Sequence, residues 1–153
     1  MSEKSFLKEL DDRILVCDGA FGTQFRKRIP SHVTCLDACN IDSDYLYIVQ
    51  NIHREYKAAG ADIIQTNTFG ANAKKLEFHG LDEQVEEINS AGAWLAREVA
   101  AEDVFVAGSV GPIESSPFSH EFSAEEVSGA FKGQMEALVE SGVDLIMLET
   151  FTD

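Results

Sequence analysis

A chain of 153 residues, 44% hydrophobic and 25% charged, has the composition of an ordinary globular domain and room for a core of its own. Its 27 acidic against 12 basic residues give a formal net charge of −15, a surface that repels phosphate backbones and anionic lipid and so argues against nucleic-acid or membrane partners. No run approaches the roughly 20 apolar residues that span a bilayer, residues 1–12 lack the apolar core of a signal peptide, and Cys17, Cys35 and Cys39 are too few for a secreted disulfide framework; a reducing cytoplasm fits.

The chain opens on a charged, helix-like stretch ending at Asp12, and residues 14–17 (ILVC) follow as a first short apolar run. Tyr45, Val49, Ile52, Tyr56 and Ala59 then recur at steps of four and three, one face of a helix that Asp42 or Ser43 is placed to cap and Gly60 to end. Residues 62–66 (DIIQT) are the second run. Leu81, Val85, Ile88, Gly92, Leu95 and Val99 make a second helical stripe, before a third run at 104–108 (VFVAG). Ser123 and Glu126 are spaced as a capping box, opening a third helix whose stripe is Val127, Phe131, Met135 (or Gln134) and Leu138, with Gly142 as its stop. Residues 143–148 (VDLIML) are the fourth run. Short, near-continuous apolar runs rich in branched residues suit parallel strands covered on both faces.

The order β-α-β-α-β-α-β means a parallel α/β sheet with helices outside. Residues 60–69 (GADIIQTNTF) align with 142–151 (GVDLIMLETF) at an offset of 82 residues, two βα units, as a barrel with duplicated pairs would give; the shared grammar of helix stop, strand and loop gives the same by chance. A closed (β/α)8 barrel takes about 250 residues. Four strands and three major helices make half of one, so residues 1–153 are expected to form the N-terminal half of a TIM barrel, ending after strand four. The rival, a doubly wound sheet, lacks its G-x-G-x-x-G after the first strand, and no P-loop pattern is present.

In a barrel, chemistry sits at the C-terminal ends of the strands. Those ends carry Asp18, Gly19, Ala20 and Phe21, then Asn67, Thr68 and Phe69, then Ser109, and finally Glu149. Asp18 and Glu149 would face one cavity from the first and fourth strands, and Gly19 and Gly22 would let backbone amides approach an anionic group. Carboxylates for an ammonium and amides for a carboxylate suit a small zwitterion. Plainer readings stand beside these. Asp18-Gly19 also reads as a turn, Glu149 as a solvated loop residue, Asn67 and Thr68 as partners of loop backbone, and Phe69 and Phe151 as packing residues.

The segments 14–23 (ILVCDGAFGT), 53–72 (HREYKAAGADIIQTNTFGAN), 108–112 (GSVGP) and 148–153 (LETFTD) together resemble the homocysteine S-methyltransferase family, in family order and over nearly the whole chain. Residues 70–76 (GANAKKL) and the Gly111-Pro112 turn are more similar to the methionine-synthase branch, or the bacterial form fused to a methylenetetrahydrofolate reductase, than to the betaine-using branch. The resemblance implies that homocysteine's amino-acid end sits on Asp18, Gly19, Ala20, Phe21 and Glu149, with Asn67, Thr68 and Phe69 nearby. It implies a zinc held by three cysteines of later strands, beyond Asp153, which would activate the substrate sulfur as thiolate. It further implies methyl delivery from a donor left open, with cobalamin and methyltetrahydrofolate entering through other domains.

No residue of this chain is therefore assigned a catalytic or metal-ligating role. Cys35 and Cys39 could share a helical face, but zinc needs three or four donors and His32 is the one neighbour. Cys17 reads as strand core, His53, His79 and His120 as surface or helix-packing positions, and Trp94 as packing. The expectation is the N-terminal part of a zinc-dependent methyltransferase, supplying the amino-acid pocket, inactive alone, with homocysteine and the remaining half of the barrel as partners. The alternatives are a natural half-barrel acting as a binding or assembly module, and an amino-acid-binding protein without chemistry.

Overall fold

A computed structural model describes residues 5–113 and 122–152. Residues 1–4 of the helix-like opening, His120 and Asp153 lie outside the described residues. Three parallel strands, β1 (Ile63–Gln65), β2 (Phe105–Val110) and β3 (Leu145–Leu148), form one sheet in the order β1-β2-β3. Pairing sets Ile63 opposite Phe105 and Ala107 opposite Leu145, so all three strands end on the same side of the sheet. The central strand β2 is buried throughout, as its unbroken apolar run requires.

The first expected strand, at 14–17, is reduced to one parallel bridge, Cys17 with Ile63. Val16 O accepts the N–H groups of Asp62 and Ile63, and Asp18 N–H donates to Ile63 O, so the segment runs beside β1 for a single rung. Ile14 is 88% and Val16 56% exposed, with no further element among the described residues covering them on the outer side. Apolar sequence alone does not make a ladder where one edge has no neighbour.

The three large helices form where the periodicity put them: α3 (Leu46–Ala58), α5 (Val85–Ala100) and α6 (Ala124–Glu140), the last opened by the Ser123–Glu126 capping box. Neither Asp42 nor Ser43 caps α3. Tyr45 holds the N-cap without a side-chain bond, and the Asp42 carboxylate instead takes Asp44 N–H in a local turn. On α6 the buried face is Ala130, Gln134, Ala137 and Leu138, so Leu138 and the alternative Gln134 fall in the expected stripe, while Val127, Phe131 and Met135 are half-buried at its flank. Trp94 is not packed but 56% exposed. Three shorter helices, α1 (Phe6–Asp12), α2 (Phe21–Arg26) and α4 (Ala73–Glu77), and two 3-10 turns at Asp37–Asn40 and Asp82–Gln84, complete the described elements. Among the described residues no helix is long and apolar enough to cross a membrane.

Strand alternation sorts the core into two layers. Ile64 and Val106 pack outward against Ala96, Val99 and Ala100 of α5, each burial contributing about 1.5–3 kcal/mol. Ile63, Phe105 and Ala107 point the other way, with Leu15, Cys17, Leu145 and Met147, and Phe6 of α1 meets Phe105 edge-on at 5.4 Å. The aligned segments 60–69 and 142–151 do the same structural work. Gly60 (φ +98°) and Gly142 (φ +78°) end α3 and α6. Asp62 then accepts Val16 N–H at 2.9 Å and Arg13 at 2.8 Å, and Asp144 accepts Val106 N–H and Arg97, both at 2.7 Å. Each aspartate ties the start of its strand to the preceding one.

Candidate functional site

The shared C-terminal side of the strands opens into a cavity of about 1130 Å³. All eight site residues expected from sequence, Asp18, Gly19, Ala20, Phe21, Asn67, Thr68, Phe69 and Glu149, line it. So do Gln65 and Ser109 on the inner face of the sheet, and an outer wall that includes Arg26, Asp37, Lys75 and His79.

Asp18 is held by its neighbour strand. One carboxylate oxygen accepts Gln65 N–H at 2.9 Å, and the other accepts the Gln65 amide and the Cys17 thiol, each at 3.4 Å. Burial raises the Asp18 carboxyl above the ordinary carboxylate range; the bonds from Gln65 and Cys17 pull it back, and the charge of Glu149 raises it further. Glu149 is exposed and fixed through its N–H to Val110 O at 3.0 Å. The two carboxylates thus share one electrostatic region, and a cation placed between them would relieve both burial and repulsion. Burial, then Asp18, pushes the adjoining Cys17 thiol up to about 12, so it stays protonated.

Gly19, Ala20 and Phe21 lead into α2, whose first-turn N–H groups have no intrahelical acceptor. Ala20 O accepts the Tyr56 hydroxyl at 3.0 Å, which anchors the turn to α3. Phe21 packs its ring on Phe25 at 5.3 Å and on His53 at 5.0 Å. His53 is fully buried, the helix-packing rather than the surface alternative, and burial lowers it to about 3, so it is neutral beneath the cavity wall.

The middle loop is committed to scaffold. The Asn67 amide donates to Leu36 O at 2.7 Å and to Asn40 Oδ1 at 3.0 Å, while Asn40 donates back to Asn67 O at 2.8 Å. Thr68 Oγ1 donates to Ser109 O, which leaves the Thr66 hydroxyl as the donor between the two threonines; Thr66 Oγ1 in turn accepts Ser109 N–H. Gln134 of α6 reaches Thr68 O at 2.6 Å. Asn67 and Thr68 therefore shape the wall with their hydrogen bonds already made inside the protein. Sequence reading passed over Gln65, although a polar residue two positions after inward-facing Ile63 was the available signal.

The outer wall differs in charge. Arg26 donates to Val33 O at 2.8 Å, Lys75 lies 4.8 Å over the Phe69 ring, and Asp37 accepts Gly70 N–H at 2.9 Å. Burial raises the Asp37 carboxyl, and Gly70, Lys75 and His79 draw it back down. No group of three Cys, His, Asp or Glu side chains that could hold a metal exists among the described residues. Burial also raises Cys35 and Cys39, the latter to about 12, which opposes the thiolate form that zinc takes.

The family model described as Homocysteine S-methyltransferase matches residues 15–153. Methionine synthases of Mycobacterium leprae and Mycobacterium tuberculosis are each 29% identical over 161 aligned positions, covering 99% of this chain and 13% and 14% of their own length. Among solved structures, the metallated form of the homocysteine methyltransferase MmuM from Escherichia coli has a TM-score of 0.76 at 26% identity, covering 93% of this chain and 56% of that one. Its oxidized form has a TM-score of 0.73 at 27% identity, covering 90% and 53%. The chain spans little over half of the E. coli enzyme and about one seventh of the synthases.

Proposed function

Because the chain belongs to the homocysteine S-methyltransferase family and carries part of its (β/α)8 barrel, we propose that its cavity holds the amino-acid end of homocysteine for transfer of a methyl group to the sulfur. Asp18 and Glu149 flank the ammonium, and the backbone amides of Gly19, Ala20 and Phe21 receive the carboxylate. Asn67, Thr68 and Phe69 form the wall between. The observation that carries this reading is the convergence of Asp18 and Glu149 on one cavity from opposite edges of the sheet. In the reaction, sulfur gains the methyl, the donor's bond to that carbon breaks with its electron pair left on the donor, and the thiol proton is released.

Zinc would serve such a reaction by holding the sulfur as thiolate. The described residues do not form a site for it, and their thiols are pushed away from the charged form, so this chain's contribution is binding and orientation. The two mycobacterial relatives support the methionine-synthase branch, in which cobalamin and methyltetrahydrofolate would belong to other domains. Further barrel strands are the partner that the sheet edges fit, with Ile14 and Val16 exposed at one edge and Leu148, 61% exposed, at the other.

Homocysteine titration by calorimetry tests the pocket. Glu149→Ala should weaken binding by about 1–3 kcal/mol, the range for losing a charged hydrogen-bond partner. Asp18→Asn, which keeps shape and removes charge, should weaken it too. Affinity unchanged in both variants would remove these residues from the site.

A further inference from the structure

We propose that Tyr56 of α3 is a positioning residue: by holding Ala20 O it turns the Phe21 N–H toward the cavity, and so sets the grip on the substrate's carboxylate. This rests on the homocysteine reading, in which the amides of Gly19, Ala20 and Phe21 receive that carboxylate. The Ala20 carbonyl and the Phe21 N–H belong to one planar peptide group, trans like the others described. In a trans peptide the two point in opposite directions, so whatever fixes the carbonyl fixes the N–H. The Tyr56 hydroxyl donates to Ala20 O at 3.0 Å. Ala20 and Phe21 line the cavity whereas Tyr56 and His53 do not, so α3 stands behind the turn and the Phe21 N–H faces away from it, to the cavity side. A donor on the carbonyl also polarises the peptide group and strengthens its N–H.

The neighbours of the turn do not share this role. Thr23 also reaches Ala20 O, but at 3.4 Å and from within α2, so it leaves the turn free relative to the rest of the protein. His53, one turn before Tyr56 on α3, meets the Phe21 ring at 5.0 Å, and neither of its ring nitrogens has a hydrogen-bond partner among the described residues. It packs against the turn and aims no polar group at it. The Tyr56 ring packs against both the core around α3 and the layer outside the sheet, which gives its hydroxyl a fixed base.

Gly19 makes room for that hydroxyl. A Cβ there would lie 3.1 Å from Tyr56 Oη and 3.2 Å from the ring, closer than side chains ordinarily approach. Gly19 is not among the glycines with φ in the left-handed region, so the close approach of Tyr56, and not the backbone, is what calls for glycine.

Tyr56→Phe removes the hydroxyl and keeps the ring. Two thiols that differ only in the carboxylate, homocysteine and 3-aminopropane-1-thiol, are titrated by calorimetry into the parent and the variant. The variant should lose about five-fold of the parent's preference for homocysteine, with its affinity for 3-aminopropane-1-thiol unchanged. Without any ligand, the amide nitrogen resonance of Phe21 should move in the variant, because its own peptide carbonyl has lost a donor, while that of Val49 in the core of α3 stays. Equal losses for the two thiols would make Tyr56 structural only, and an unchanged preference would separate it from the carboxylate; either overturns the proposal. If the parent binds neither thiol, or binds both alike, the homocysteine reading falls and the Phe21 resonance decides alone. A shift then keeps Tyr56 as the residue that orients this peptide group, and an unmoved resonance overturns that as well.

Discussion

The unit α3–β1 and the unit α6–β3 carry the same ending, glycine, aspartate, two strand residues, threonine and phenylalanine, and the fold puts the two endings to different use. At the starts of the strands they are equivalent. Asp62 and Asp144 each lock backbone N–H and arginine in the same way. At the strand ends they diverge. Asn67, buried, is consumed by Asn40 and Leu36, whereas its counterpart Glu149 is exposed to the cavity and bonded through backbone alone. Within the helices, fully buried His53 of α3 corresponds to half-buried Met135 of α6. One copy of the pattern is built as framework and the other is left available to a ligand; the difference lies in what covers each, not in the pattern.

The largest expected effect tests the framework side. His53 is lowered to about 3 by burial against an ordinary 6.5, so the unfolded chain takes up its proton first as pH falls. The stability His53 contributes is complete above the unfolded value and is lost on descent toward the folded one. The loss amounts to about 3 kcal/mol by pH 4, at about 1.36 kcal/mol per unit. His53→Met, which installs the counterpart residue, should flatten the loss of melting temperature between pH 6.5 and 4. A variant whose acid slope matches the parent's would show that His53 is not buried as a neutral ring.

A smaller effect separates the two strand ends. Asn67→Ala leaves Leu36 O and Asn40 Oδ1 without their donor inside the protein, at a cost of about 2 kcal/mol. Glu149→Ala removes an exposed side chain and should change stability by no more than about 0.5 kcal/mol, whatever it does to ligand affinity. Denaturant melts of the two variants decide this. Equal destabilisation would mean that Glu149 is framework as well, and the contrast between the units would dissolve.

This contrast also marks where sequence was readable. Periodicity placed α3, α5 and α6, and the Ser123–Glu126 spacing gave the capping box, because those signals are local. The strand ends that surround the cavity were readable for the same reason: polar residues follow apolar runs there. The 14–17 segment was read as a full strand because its composition says nothing about whether its outer edge has a neighbour. No helix was expected at residues 21–26, where the support for one comes from His53, distant in sequence. The outer wall of the cavity was invisible for a related reason. Arg26, Asp37, Lys75 and His79 lie in four separate stretches, and the cavity that gathers them is a product of tertiary packing.

The smallest effect belongs to the feature the two units share. Gly60 and Gly142 both stop their helices with φ in the left-handed region, at +98° and +78°, and a Cβ at either position meets no atom within 4 Å. An alanine there is strained by backbone conformation alone, at about 1 kcal/mol, with no packing term added. Gly60→Ala and Gly142→Ala should therefore lower stability by the same amount within error, although one glycine precedes a framework ending and the other a ligand-facing one. Unequal losses in paired denaturant melts would place the divergence of the two units before their strands begin, and the equivalence of Asp62 and Asp144 would no longer describe where the copies part.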